Sequence, residues 1–207
     1  MNNLNLFANE FFMRTFILYS HARTDASWNI EDMPSSGGRM DLVARCVSAS
    51  LWLSYTIRRD TEFIVILNGA PAPPIAIKFS GEKLKNVSPD ERSVGLWLKK
   101  VLAEKIFKEW REIYPGIFAA QKSFQEIIKE YKNKKVFILH EKGEPVQEQK
   151  FSNEDNLVFV LGDNVGIPAK DEKFALRHGE KISLGKTSYV ASACINVVNW
   201  ILDGSRV

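Results

Sequence analysis

The chain has 207 residues, of which 45% are apolar and 26% charged, with a formal net charge of +3. That mixture belongs to a globular, water-soluble fold rather than a disordered or fibrous one, and so small a positive charge decides nothing about a nucleic-acid partner. No stretch approaches the roughly 18 uninterrupted apolar residues of a membrane span, so a membrane partner is not expected.

In chain order, the apolar opening MNNLNLFANEFFMRTFILY is interrupted by Asn9, Glu10 and Arg14 and has no small-residue cleavage site, so it does not read as a secretory signal. Residues 1–12 read as an extension or alternative start, with Met13 a second candidate start and residues 13–207 one domain. Arg14–Tyr19 predicts a buried strand, followed by a long polar loop ending in Gly37-Gly38. From Arg39, the placing of Met40, Val43, Val47 and Leu51 predicts an amphipathic helix. Glu62–Leu67 and Ile75–Phe79 predict strands separated by the proline-rich turn NGAPAPP. Ser88-Pro89-Asp90-Glu91 reads as a capping box opening a helix that runs to about Trp110. A helix over about Lys122–Lys132, strands at Val136–Leu139, Asn156–Leu161 and Lys181–Leu184, and a last helix from about Ser188 to Leu202 complete the pattern. Strands alternating with helices predict an α/β domain with a mostly parallel sheet covered on both faces.

The two cysteines, Cys46 and Cys194, lie in apolar helical patterns without CxxC or Cys/His clustering. They point to a reducing, cytoplasmic compartment and to no bound metal. Val190, Cys194, Val197, Val198 and Ile201 fall on one helical stripe, so Cys194 reads as a small core hydrophobe before it reads as a nucleophile.

In an open α/β sheet, ligands bind at the carboxyl ends of strands. Leu139, Gly162 and Gly185 mark three such ends, and the two glycines would permit close backbone approach or positive φ, although glycine is also ordinary punctuation there. GxGxxG and GxxxxGK[ST] are both absent, which removes a Rossmann dinucleotide site and a P-loop.

The succession VFIL, LGDNVGIP and KISLGKTSYVASACI resembles the cofactor-binding end of the SPOUT methyltransferases. With MRTFILYSHARTDASWNIED, GGRMDLVARC, FIVILNG, PPIAIKFSGEKL and VSPDERS before it, the chain resembles the archaeal TrmY family, the tRNA pseudouridine(54) N1-methyltransferases, from Met13 to Asp203. The resemblance implies a SPOUT α/β fold with a deep C-terminal trefoil knot, S-adenosylmethionine as cofactor, a tRNA substrate and a homodimer. It places cofactor contacts on Leu139, Gly162, Leu184, Gly185, Lys186, Thr187, Ser188, Tyr189 and Cys194. N1-methylation of an rRNA pseudouridine, or an RNA-binding or assembly protein that keeps the pocket without turnover, are the alternatives.

Pseudouridine carries its sugar on carbon, so N1 keeps a proton that must leave when a methyl group arrives. The protein then has to align two groups and help remove one proton. Asp41, Asp163 and Asp25 are candidate bases, although Asp41 could equally serve the helix N-terminus and Asp163 its own turn. Arg39 could contact phosphate or form an ion pair, and His21 reads as a solvated loop histidine. For RNA, the candidates are Arg14, Arg23, Arg39, Arg45, Arg58 and Arg59, with Trp28 interleaved for stacking.

Overall fold

The computed structural model describes residues 13–151 and 156–204; the expected extension over residues 1–12 lies outside them. In chain order the elements are β1 (Arg14–Ser20), α1 (Met33–Ser36), α2 (Met40–Leu51), β2 (Thr61–Leu67), β3 (Ile75–Ser80), α3 (Glu91–Ala103), β4 (Arg111–Tyr114), β5 (Ile117–Ala120), α4 (Phe124–Glu130), β6 (Lys135–Pro145), β7 (Leu157–Gly162), α5 (Ala169–Ala175), β8 (Gly179–Ser183) and α6 (Ala191–Gly204).

Every residue of β1 is buried, which its run of aromatic and branched side chains allows only at the centre of a sheet with both faces covered. Because side chains alternate along a strand, Phe16 and Leu18 enter one apolar cluster with residues of α1, α2, α3 and α6. Ile17 and Tyr19 enter a second cluster with Phe124, Ile127 and Ile128 of α4 and Ala175 of α5.

The eight strands form one sheet in the order β4-β5-β3-β2-β1-β7-β6-β8. β2 and β7 flank β1 in parallel, and β6 and β8 continue the parallel half. β3, β5 and β4 run antiparallel to their neighbours. The sheet is therefore mixed, not mostly parallel throughout. The β4–β5 hairpin of the antiparallel flank lies between the two expected helices, in a stretch given no element: α3 ends at Ala103, short of the expected Trp110, where Glu104 turns extended (φ −86°, ψ 160°), and the chain continues into the hairpin.

Capping chemistry also differs from the expected pattern. Asp90, rather than Ser88, caps α3 by accepting from Ser93 N, and the reciprocal capping box belongs to Ser123 and Glu126 at α4. α5 was not anticipated. On α6 the buried residues are Ala191, Ile195, Val198, Asn199 and Leu202. This row is turned about one residue from the expected stripe, so Val197 is exposed and Cys194 half-buried.

Since β2, β1, β7, β6 and β8 all run the same way, their carboxyl ends share one edge. The residues after β1, within β6, and after β7 and β8 meet there.

Candidate active site

At that edge lies a cavity of about 610 Å³, a size typical of small-molecule sites. Its walls include Leu139, Gly162, Leu184, Gly185, Thr187, Ser188, Tyr189 and Cys194. Those are eight of the nine positions assigned to a cofactor by resemblance; Lys186 is not in the lining. Leu42, Asn164, Gly166, Ile167 and Ala191 also line it.

Three glycines shape this space. A Cβ on Gly162 would lie 2.7 Å from Cα and C of Gly166 and from N of Ile167, so β7 can meet its following loop this closely only without a side chain. Gly166 and Gly185 have φ of 91° and 127°, and a Cβ on either would project into open space. Both need glycine for backbone reasons, and both leave room that a ligand can fill. Ser183 Oγ accepts from Gly185 N at 3.0 Å, fixing the second turn. Apolar walls combined with glycine backbone fit a nucleoside-bearing sulfonium such as S-adenosylmethionine, whose adenine needs apolar cover and main-chain hydrogen bonds. The Cys194 thiol donates to Tyr189 O at 3.7 Å, and burial pushes its pKa up. Cys46 is buried in the core, and its pKa is raised in the same direction by burial. Neither is poised as a thiolate nucleophile.

The candidate carboxylates differ sharply in surroundings. Asp41, in the first turn of α2, takes a two-pronged ion pair from Arg39 (2.9 and 3.0 Å) and a further hydrogen bond from Arg45 (2.7 Å). Burial works to raise its pKa, but these guanidiniums outweigh it and hold the carboxyl below its ordinary value. Asp41 is thus a strapped anion that orients two arginines, and a poor proton acceptor. Asp25 is paired with Arg23 (2.8 and 2.9 Å), and chiefly through that pair its pKa falls to about 2. Asp163 is different. It borders the cavity, with its side chain 1% exposed. It accepts from the main-chain N of His21 at 2.6 Å and of Val165 at 2.9 Å, and its two oxygens lie 3.1 Å from His21 Nδ1. His21 is therefore held, not loosely solvated as the sequence suggested. No local signal could have revealed this contact, which joins residues 142 positions apart.

Of the positions read as RNA contacts, Arg23, Arg39 and Arg45 remain partly exposed. Two are corrected by burial. Arg14 has no exposed side-chain surface and is bound to Asp60, Asn199 and Asp203. Trp28 is 1% exposed in the core, with Lys99 over its ring. Neither can stack on or pair with RNA from there. Arg58 is spent on Asp203 (2.8 and 2.6 Å), and Arg59 donates to the carbonyls of Gly81 and Glu82. Arg39 occupies the left-handed region, with φ 72°, a conformation costly for a non-glycine residue.

Residues 13–207 match a family of SAM-dependent RNA methyltransferases. A tRNA (pseudouridine(54)-N(1))-methyltransferase of Methanococcus maripaludis is 43% identical over 195 residues, covering 92% of this chain and 98% of the relative. Enzymes of the same name from Methanocaldococcus jannaschii and Thermococcus kodakarensis are each 38% identical, covering 94% and 93% of this chain and 98% and 100% of theirs. Among solved structures, Archaeoglobus fulgidus Nep1 bound to S-adenosylhomocysteine superposes with a TM-score of 0.61 at 17% identity, over 94% of this chain and 98% of that one. At that identity the likeness concerns the fold.

Proposed function

The chain belongs to the tRNA (pseudouridine(54)-N(1))-methyltransferase family, and from that premise we infer that it uses S-adenosylmethionine to methylate N1 of pseudouridine 54 in tRNA. The observation that carries this reading is the cavity between the ends of β6, β7 and β8, where Gly162 lets the following loop fold close and Gly166 and Gly185 leave backbone open to a ligand. When bound, the cofactor supplies a methyl group made electrophilic by its positive sulfur, which retains the S–C electron pair. Leu139, Leu184 and Ile167 would cover the adenine, the turns around Gly162 and Gly185 would bind through the main chain, and Cys194 would pack its sulfur alongside. The remaining task is alignment and removal of one proton.

Incubation with labelled S-adenosylmethionine and either unmodified or pseudouridine-bearing tRNA transcripts, followed by nucleoside analysis, tests the reading. Label should appear on the pseudouridine transcript alone; label on uridine, or on neither, would overturn it.

The finer features follow from the same reading. Arg23, Arg39 and Arg45 are proposed to meet the tRNA backbone, supported by their partial exposure. A trefoil knot is proposed for the carboxyl-terminal part, supported by β8 lying at the sheet edge while α6 returns to pack on α2. Residues 13–207 are proposed as one domain, supported by the single sheet that runs through them. A cytoplasmic location suits a tRNA substrate, and among the described residues no helix is long and apolar enough to cross a membrane. A homodimer is supported by α6 and the residue before it, where Val190 is 65%, Val197 37% and Trp200 77% exposed. Large apolar side chains grouped in this way call for a partner surface. Trp200→Glu should convert a dimer to a monomer in light scattering without lowering the melting temperature of the fold; an unchanged mass would remove α6 from the interface.

A further inference from the structure

We propose that His21 is a catalytic residue of this reaction, the group that takes the N1 proton of pseudouridine, and that Asp163 is the positioning residue that holds its imidazole. The proposal rests on the methyltransferase reading above.

Geometry sets the tautomer. An ionised carboxylate can only accept hydrogen bonds, and both Asp163 oxygens lie 3.1 Å from His21 Nδ1. Nδ1 must therefore carry the hydrogen, and in the neutral ring that leaves Nε2 with a free lone pair. Asp163 is itself immobilised: it is buried, accepts from the main-chain N of His21 and Val165, and donates its own N–H to Tyr19 O at 3.0 Å. A base oriented by a fixed carboxylate is the arrangement in which an imidazole accepts a proton and keeps the resulting charge stabilised.

The main chain around His21 is pinned from both sides. Asn68 N donates to Ser20 O at 2.8 Å, Gly69 N to Ala22 O at 2.9 Å, and Arg23 N to Gly37 O at 3.1 Å. Gly69 comes so close to the carbonyls of His21 and Ala22 that it has no room for a side chain. Yet the imidazole is 38% exposed, at the strand edge where the cavity opens and beside a residue that lines it. Among the described residues, the titratable groups that feel Asp163 include Tyr19, Arg39 and Cys46. Tyr19 stacks at an angle 5.4 Å from the imidazole, and its hydroxyl pKa is raised by burial, then by Asp171 and Asp163. Arg39 feels the charge of Asp163.

In the step proposed, the N1–H bond breaks and its electron pair stays on nitrogen to form the new N1–methyl bond. The proton passes to Nε2 of His21, giving an imidazolium beside Asp163, and leaves later to water. The group that donated the methyl departs with the electrons of its S–C bond, so charge and atoms balance.

A histidine could instead act only as a latch between the ends of β1 and β7, and His21→Asn separates the two roles. The asparagine amide can still donate to Asp163, but the second ring nitrogen is gone. We expect kcat on pseudouridine-bearing tRNA to fall about 100-fold or more at pH 7. KM for tRNA and calorimetric affinity for S-adenosylmethionine should stay within about threefold, and the residual rate should climb steadily with pH where the parent's has levelled. Imidazole nitrogen NMR of the parent, with His21 assigned by its loss in the variant, should show the Nδ1–H form, and Asp163→Asn should weaken that preference. A His21→Asn enzyme within threefold of the parent and with the parent's pH profile would overturn the role of His21, as would an Nε2–H tautomer in the parent. A parent that leaves pseudouridine unmethylated would fell the functional reading and this proposal with it.

Discussion

Asp203→Ala should lower the melting temperature by about 4–12 °C, the shift that about 2–3 kcal/mol produces in a domain of this size. Asp203 is 40% exposed, but its partners are not: Arg14 is fully buried and Arg58 is 11% exposed. Removing the carboxylate therefore takes a counter-charge from two desolvated guanidiniums at once, although Arg14 keeps Asp60. Arg14→Met should cost less, because the carboxylates it leaves behind, Asp60 and Asp203, are both partly exposed and can recover hydration. Calorimetric melting of the two variants checks the order, and a shift below about 2 °C for Asp203→Ala would show that the network contributes little. The pH dependence has a definite sign. Burial works to raise the Asp203 pKa, but hydrogen bonds and charge from Arg58 and Arg14 outweigh it and leave the folded value lowered. A lowered folded pKa adds stability above the unfolded carboxylate value, near pH 4, and that stability is lost as pH falls through the folded pKa. Asp203→Ala should accordingly flatten the acid limb of the stability curve.

The second large effect is expected at Gly162→Ala. Its added methyl would sit 2.7 Å from Cα and C of Gly166, a collision with backbone that no rotamer change relieves. The loop carrying Asp163 to Ile167 must move, and that loop is a wall of the cavity. Affinity for S-adenosylmethionine should fall about 100-fold, equivalent to roughly 2.7 kcal/mol, while cooperative unfolding persists. Isothermal titration of the purified variant measures this; affinity within threefold of the parent would separate the Gly162 turn from ligand binding.

How much of this was legible in the sequence varies from segment to segment. The β1 run RTFILYS and the helix from Met40 were plain, because apolar spacing there matches a single period. The β4–β5 hairpin was not. Arg111–Tyr114 is an outer strand facing solvent, with no alternation to announce it, and the preceding apolar residues extend the helical pattern of α3 past its true end. α5 is seven residues after Pro168, too short to build a periodic signal. The glycine turns could be located because strand ends and glycines are local features. The straps on Asp41 and Asp25 were partly legible, since the arginines stand two residues away. The pairing of His21 with Asp163, and the burial of Arg14 and Trp28, depend on which strands become neighbours, and a charge in the sequence carries no record of that.

The first strand and the last helix share a consequence for biosynthesis. Arg14 sits at the start of β1; Asp60, just before β2, supplies one of its acceptors, but Asn199 and Asp203 belong to α6. Until α6 has been made, that buried guanidinium has Asp60 but lacks two of its acceptors, so sealing the middle of the sheet is less favourable. The nascent polypeptide can gather local helices and hairpins, but the cofactor cleft is complete only when α6, which supplies Ala191 and Cys194 to its wall, has been made. A product stopped before α6 would lack Ala191 and Cys194 from the wall of the donor cleft and two of the acceptors of Arg14.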